Sequence, residues 1–519
     1  MSDIFALSRR QLLAGGAALA AATAIYPRVS ISADGKVLRV RSYSDIQILD
    51  PAFQKAAPEG DIIRSVLVGL VGNKAGDTWG WELDGASKIE QIDDTTIAFT
   101  LREGLKWSNG FGEVTVEDVK YSYERIADPA MDSPYKGDWA ALDRVEVKDK
   151  LSGVIHLKEP FVPLWTTTMP FTAGRIVCKA ATEAAGGRFE AKMPAQCGRY
   201  TLTEWTPKQR TVLKRNPDWP GEPGGFEEIH ILPVEDEKTA ELGFEGGEID
   251  YTWISVSSIP RYKKDPPKDG TLEVKPSLAY VWLGISFETP PFDDQKVRRA
   301  VQHGVDVQQV LDAAYFGVAA PATGIVAPGL LGHREKNLYD YDPDKSRALL
   351  KEAGFADGFE CTLDILNKTE RVSAAQAIQA SLADVGIRVT IQQHDSGTFW
   401  SLGDESSGDS WKKIQLLVQR FSMQPDPSWA TEWFTPDQIG VWNWERFNSE
   451  EFGKLHAEAK SVLDEEKRHD MYVRMQNIME ESGCYVFLTH EAVGMLTRNS
   501  VTAGVMPNAT PIFHKFKPA

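Results

Sequence analysis

The sequence predicts an α/β protein built from more than one domain. At 519 residues the chain exceeds what one simple hydrophobic core supports. Residues 342–392 read as helix, strand, helix, strand, the order that sets neighbouring strands parallel. Residues 199–234 carry three strand-like runs in succession instead, so a strand-rich part stands beside the alternating one.

Each element has a local reason. Residues 37–41 open the folded part as a strand, and residues 97–101 alternate apolar and polar ahead of a turn at Ser108-Asn109-Gly110. Thr115 and Asp118, three apart, start a helix carrying Val119, Tyr123 and Ile126. Strands follow at 199–204, 211–215 and 229–234, with a Pro/Gly-rich loop at 216–225. Residues 280–287 read as a buried strand. Asp294 caps a helix with the apolar stripe Val297, Ala300, Val301, Gly304 and Val305. Asp306 and Gln309 have the form of a capping box, opening a second short helix through Val310, Leu311 and Ala314 that stops at Gly317. Asp342-Pro343-Asp344 starts a helix that Gly354 ends. A strand at 360–365, a helix at 372–385 and a strand at 388–392 follow. Residues 449–482 form two helices with a break near Leu463 and an end at Gly483. No internal repeat and no low-complexity linker occurs, so two lobes would be joined without a floppy hinge.

The N-terminus predicts export. Ser8-Arg9-Arg10-Gln11-Leu12-Leu13 precedes a small-residue apolar run from Ala14 to Ile25, the layout of a signal peptide. The run is too short and too rich in Ala and Gly to span a membrane. Paired arginines before Leu-Leu have the form of a twin-arginine signal, with a general secretion signal as the alternative. Residues 1–33 are assigned to this segment, with cleavage after Ala24 or Ala33, and the mature protein is placed in the periplasm of a Gram-negative cell. Net charge is −17, which argues against binding a phosphate backbone. Cys178, Cys197, Cys361 and Cys484 form no CxxC pair. The compartment permits a Cys178–Cys197 bridge, but a twin-arginine substrate folds first in a reducing cytoplasm, so bridge and free thiols both stay open.

Enzyme signatures are missing from the sequence. It has no GxSxG elbow and no P-loop. His490-Glu491 begins like HExxH, but Gly494 stands where the second histidine is needed, and the nine histidines are scattered. The expectation is a protein without catalytic activity, cofactor or bare metal site. A periplasmic hydrolase with a site assembled from distant residues is the remote alternative.

Pro291-Phe292-Asp293-Asp294, then Val297-Arg298-x-Ala300, Asp306 and Gly317, resembles the family 5 solute-binding proteins of ABC importers, which capture dipeptides, oligopeptides and nickel complexes. Further matches are collinear over the mature chain: Leu49-Asp50-Pro51, Leu101-Arg102-Glu103-Gly104, Gly198-Arg199-Tyr200, Asn216-Pro217-Asp218, Gly246-Gly247-Glu248-Ile249-Asp250, Tyr341-Asp342-Pro343-Asp344, Ala353-Gly354-Phe355, Gly386-Ile387 and Asp426-Pro427. The resemblance implies two α/β lobes with an additional β-rich subdomain and a ligand cleft between the lobes. Lobe I then takes residues 34–57, 190–276 and 485–519, the extra subdomain 58–189 and lobe II 277–484. It implies hinge closure on a solute, delivery to an ABC permease and ATPase at the inner membrane, and a monomer that binds no nucleic acid.

The same resemblance places the ligand. Tyr43 and Asp45 leave the first strand toward the cleft, Tyr280 and Trp282 lie on the strand entering lobe II, and Trp400 stands where relatives place lid residues. Arg420 and Phe421 end a strand facing the pocket, offering a fork donor and an apolar face. Relatives that bind peptides anchor the α-amino group with an Asp three residues before Asp-Pro; this chain has Met423 there. Dipeptide receptors also carry an Arg for the ligand carboxylate after the strand that precedes the next helix; that neighbourhood here is Ile365 to Arg371, where Lys368 or Arg371 could serve though neither falls cleanly on the position, and Asn367 is taken as a ligand contact. These departures leave room for a modified peptide, an opine-like conjugate, an oligosaccharide or a metal chelate beside an ordinary peptide.

Overall fold

The computed structural model describes residues 36–519. The export segment expected at residues 1–33 lies outside the described residues. A mixed ten-stranded sheet runs through the molecule, in the order Ile387–His394, Phe359–Leu366, Leu416–Ser422, Gly270–Ile285, Tyr485–Arg498, Tyr251–Ile254, Val37–Ser42, Glu228–Pro233, Arg210–Arg215, Tyr200–Thr206. Two of these, Gly270–Ile285 and Tyr485–Arg498, belong to both halves. Gly270 to Pro276 pairs with Arg498 to Ala492, and Tyr280 to Gly284 pairs with His490 to Tyr485. The register slips between Pro276 and Tyr280, leaving Ser277, Leu278 and Ala279 opposite Glu491. An irregularity of this kind bends and twists a ladder locally, and this one lies where the two halves meet. The halves are thus joined by continuous strands, as a chain without a linker requires.

In one half, Val37–Ser42 lies between Glu228–Pro233 and Tyr251–Ile254 and is parallel to both. A separate four-stranded antiparallel sheet, Ala86–Asp93, Thr96–Leu101, Ser152–Leu157 and Leu142–Val147, shares this half's core: Ile97, Phe99 and Ile155 pack in one cluster with Leu38 and Val40. Thr115 and Asp118 start the helix Val116–Ala127, the Asp118 carboxylate accepting from the Thr115 amide at 2.9 Å.

In the other half helices cover both faces of the sheet. Strand residues alternate sides. Val281, Leu283, Leu363, Ile365 and Val418 bury against Val297, Leu311 and Ile378 of the helices Gln295–Gly304, Val307–Tyr315 and Thr369–Ala383. Tyr280, Trp282 and Met423 bury on the opposite face, with Met471, Met475 and Met479 of the helix Glu465–Glu481. Phe359–Leu366 runs parallel to both Ile387–His394 and Leu416–Ser422.

The caps follow the sequence with one difference. Asp294, Asp306 and Asp342 each accept a backbone N–H from the first turn they start. The return half of the Asp306–Gln309 box is diverted, since Gln309 and the Asp306 amide both bond Ser381. Phe316, at φ 55°, takes the left-handed position that ends this helix, and Gly317 at φ 66° follows it.

The first parallel pair of strands starts side by side, Phe359 opposite Ile387, so Gly358 and Gly386 cross in contact. Gly358 has φ +74°, and a Cβ there would run into the Gly386 carbonyl. Gly358→Ala is expected to destabilise this half by about 2–4 kcal/mol, from overpacking and left-handed strain together. Gly354→Ala, also at positive φ but with open space around it, should cost about 1 kcal/mol. Thermal unfolding of the two variants checks the order, and equal losses would contradict it.

Cys178, Cys197, Cys361 and Cys484 are unpaired and buried, which settles the open choice in favour of free thiols. Burial pushes the Cys361 and Cys484 thiols up to about 12, out of the reactive range. Among the described residues no helix is long and apolar enough to cross a membrane, and no cluster of His, Cys, Asp and Glu could hold a metal.

Candidate functional site

The candidate site gathers where the strands pass from one half to the other. Leu416–Ser422 runs toward the register slip, with Ser422 paired to Ala279 at its end. Arg420 therefore projects near the slip, and Glu491 of the crossing strand meets it: Arg420 Nε donates to Glu491 Oε2 at 2.9 Å, and Nη1 to the Ser422 hydroxyl at 3.1 Å. The second carboxylate oxygen of Glu491 accepts from Arg371 Nη2 at 2.7 Å, and Arg371 Nη1 also donates to the Tyr315 hydroxyl. Arg371 comes from the first turn of the helix Thr369–Ala383 and Tyr315 from the last turn of Val307–Tyr315. Burial works against the Glu491 charge, but the Arg420 and Arg371 guanidiniums outweigh it and hold the carboxyl below its ordinary range. Arg371 keeps 4% of its side-chain exposure, whereas Arg420 keeps 44%.

On the other face of the same strand stands an aromatic wall. Phe421 meets Trp282, Trp433 and Trp442 edge-on at 5.1, 6.3 and 6.0 Å between centroids. Trp442 continues to Trp400 at 6.4 Å, and both are 38% exposed. Edge-to-face packing of this sort is stable without closing over the outer rings.

The other half has a cavity of its own at the ends of Val37–Ser42 and Tyr251–Ile254, lined by Tyr43, Pro58, Asp61, Tyr251 and Trp253 among others. Tyr43 is exposed, and its hydroxyl accepts from the Ala57 amide that starts the helix Ala57–Val66. Burial pushes the Asp61 carboxyl up to about 6, against the opposing pull of its Arg64 partner. Polar contacts already link the halves: Thr166 donates to Asp426 at 2.9 Å, and the Val162 amide to the Lys460 carbonyl at 2.9 Å.

The sequence-derived residues fall into three groups. Arg420, Phe421, Trp400 and Tyr43 are all partly open; the first three lie on or beside the strand Leu416–Ser422 and its aromatic wall, and Tyr43 lies in the cavity of the other half. Tyr280, Trp282 and Met423 do not line open space. They are 1%, 1% and 4% exposed, because that face of the sheet is roofed by the helix Glu465–Glu481 and its neighbours, and the Trp282 indole is taken by Glu445 at 2.7 Å. Asp45 and Asn367 are surface positions with local duties. Asp45 accepts from the Trp205 indole at 3.0 Å and the Lys208 amide at 2.7 Å, pinning a hairpin, and the Asn367 amide bonds the His394 carbonyl. Asp426 is wholly buried as the cap of the helix Pro427–Thr431. His490 is buried with its ring against the Ile325 carbonyl, and burial lowers it to about 4.

Sequence reasoning missed Glu491, Trp433 and Trp442. Glu491 entered it only as a failed metal motif, and its partner Arg420 is 71 residues away. The two tryptophans lie outside periodic elements, so their one signal was a total of fifteen Trp in the chain.

Comparison with known proteins decides the family. The model for bacterial extracellular solute-binding proteins, family 5, matches residues 82–440. The chain belongs to that family. It is 27% identical to the periplasmic oligopeptide-binding protein OppA of Salmonella typhimurium, over 92% of this chain and 93% of that one. It is 25% identical to the glutathione-binding protein GsiB of Escherichia coli K12, over 95% and 96% of the two chains. The solved structure of HbpA2 from Haemophilus parasuis superposes with a TM-score of 0.80 at 23% identity, covering 93% of this chain and all of that one. The fold of this solute-binding protein is therefore the two-lobe periplasmic binding fold, with the crossing strands between its lobes.

Proposed function

We propose that this protein is the periplasmic substrate-binding component of a peptide-type ABC importer. It captures a peptide or peptide-like solute between its lobes and delivers it to the membrane permease and ATPase as a monomer, without transforming it. We place lobe I in residues 34–57, 190–276 and 485–519, the extra subdomain in 58–189 and lobe II in 277–484, after export on a twin-arginine signal. The observation that carries the reading is the hinge, with two continuous strands joining two lobes and an open guanidinium beside the register slip. Such strands let the lobes rotate as bodies, so that capture becomes a shape a permease can sense. The relatives bind oligopeptides and glutathione, which supports a peptide-like solute.

The anchoring of that solute departs from a free-amine peptide. Met423 is apolar and buried, and the nearby Asp426 carboxylate is saturated by Arg468, Ser428 and Thr166. An ammonium brought to that place would meet no free carboxylate, and burying it unpaired is unfavourable. We assign solute contact to Arg420, Phe421, Trp400 and Tyr43. Stripped protein offered an unfractionated casein hydrolysate, both as prepared and after N-acetylation of its amines, with retained species weighed by native mass spectrometry, tests the capture: discrete retained peptides from either pool support it, and none retained from both contradicts it. Arg420→Ala is expected to keep the melting temperature of the stripped protein and to retain at least about tenfold less, the size of one lost charged contact of about 1.4 kcal/mol or more. Equal retention at equal melting temperature would remove Arg420 from the site.

A further inference from the structure

We propose that Glu491 is a positioning residue for the solute, holding the Arg420 guanidinium at the hinge so that its outer N–H edge receives a carboxylate of the solute. This rests on the reading of the interlobe cleft as the capture site and names the chemistry captured there. In the contact cluster two guanidiniums share one carboxylate, Arg371 on Oε1 and Arg420 on Oε2. Arg371 is closed off within the protein, with one Nη on Tyr315, the other on Glu491, and only 4% side-chain exposure. Glu370 adds to the field at Arg371 but makes no hydrogen bond or ion pair with either guanidinium. Arg420 differs. Its Nε is held by Glu491 and its Nη1 by Ser422, while Nη2 has no partner among the described residues and the side chain is 44% exposed.

One positive charge in the cluster is therefore unmatched by contact, in a chain whose net charge is −17. Lobe closure over it would strand a guanidinium unless the solute brings an anion, because one member of a buried pair left alone is costly. A carboxylate fits the free edge of a planar fork donor better than a neutral amide does. The position matters too: Glu491 lies opposite the register slip, so the group that orients Arg420 is part of the hinge itself.

The test uses acetate against its neutral isostere acetamide, titrated at constant ionic strength into stripped full-length mature protein carrying 15N-arginine. The Arg420 Nε resonance is identified by its loss in Arg420→Ala. We expect a saturable shift with acetate and none with acetamide. Glu491→Asp, which keeps the charge and shortens the reach to Arg420, should weaken acetate about tenfold, within the range of measured couplings between touching residues, and should change nothing further in the Arg420→Ala background, where acetate heat by calorimetry is already lost. A shift with neither probe, or the same shift with both, overturns the carboxylate assignment. Unchanged acetate affinity in Glu491→Asp, or an equal loss in both backgrounds, overturns the positioning role. If Glu491→Asp does not fold, Arg420→Lys replaces it, since a single ammonium cannot serve Glu491 and an incoming carboxylate in fork geometry; about tenfold weakening is expected, and none overturns the proposal. Acetate binding without any retained peptide would leave this inference standing and sink the peptide reading. Retained peptides with an Arg420 indifferent to acetate would do the reverse.

Discussion

Asp84→Ala is expected to destabilise the half that carries the four-stranded sheet by about 3–5 kcal/mol, the usual result of removing one member of a buried ion cluster. Asp84 sits between the short strand Trp81–Leu83 and Ala86–Asp93. Its Oδ2 accepts from Arg175 at 2.7 Å and from the Gly69 amide at 3.1 Å, and its Oδ1 from Arg199 at 2.6 Å. Arg175 is 2% exposed and spends its other N–H groups on the carbonyls of Val71, Pro170 and Phe171. Without Asp84 that guanidinium stays buried with dipoles alone to balance it. Burial disfavours the Asp84 charge, but Arg199, Arg175 and His514 outweigh it and hold the carboxyl down at about 2. A carboxyl whose folded value lies below its unfolded value stabilises at pH above the unfolded value, about 4, and loses that contribution as pH falls toward 2. The difference between parent and variant should therefore be full at pH 7 and shrink between about pH 4 and pH 2. Thermal unfolding at pH 7 should show the transition of that half lowered by roughly 6 °C or more. A loss below about 1 kcal/mol would mean that the cluster relaxes into water.

Asp426→Ala is expected to cost a similar 3–5 kcal/mol, in lobe II. Both Asp426 oxygens accept from Arg468 Nη2, at 2.7 and 2.8 Å, in a pair whose side chains are 3% and 0% exposed. The same carboxylate caps the helix Pro427–Thr431 through the Ser428 amide at 3.0 Å. It also takes the Thr166 hydroxyl from the other half. Thr166→Val separates these duties, because it removes one polar contact between the halves and leaves the cap and the ion pair. That variant should leave the lobe II transition within about 0.5–1.5 kcal/mol, the worth of one hydrogen bond. If the two variants cost the same, the cross-lobe contact and not the buried pair would dominate.

Much of the fold was legible because its elements start and stop on side-chain chemistry. Asp294, Asp306 and Asp342 announce their helices by cap and period, and the parallel pair at 359–366 and 387–394 follows from the helix between them. Other elements lack such marks. The helix Ala57–Val66 begins at Ala56, which has no capping side chain; Glu59 supplies the acceptor from inside the helix, taking the Lys55 and Ala56 amides. The strand Gly270–Ile285 was read only from Tyr280 onward, because Pro276 normally ends a central strand. In the folded protein Pro276 borders the register slip, where the ladder is already broken. The three-residue strands Val71–Asn73 and Trp81–Leu83 are too short to show a period.

The site was legible only in part, for a related reason. Arg420 and Phe421 end a readable strand, so strand geometry and family resemblance together pointed to them. What orients them, Glu491, Arg371, Trp433 and Trp442, comes from four separate places in the chain, and only the fold brings those places together. Tyr280 and Trp282 show the converse: aromatic residues on the right strand became core, because the opposite face of that sheet is also covered by helices.

The measurement that tests the central claim most directly is identification of the solute carried by the protein purified from its own cells without denaturation. Native mass spectrometry gives the bound mass, and fragmentation after release gives the structure. A carboxylate-bearing peptide or peptide-like conjugate, one per chain and lost in Arg420→Ala, is the predicted result. A neutral oligosaccharide, or a metal chelate held equally well by Arg420→Ala, would contradict it.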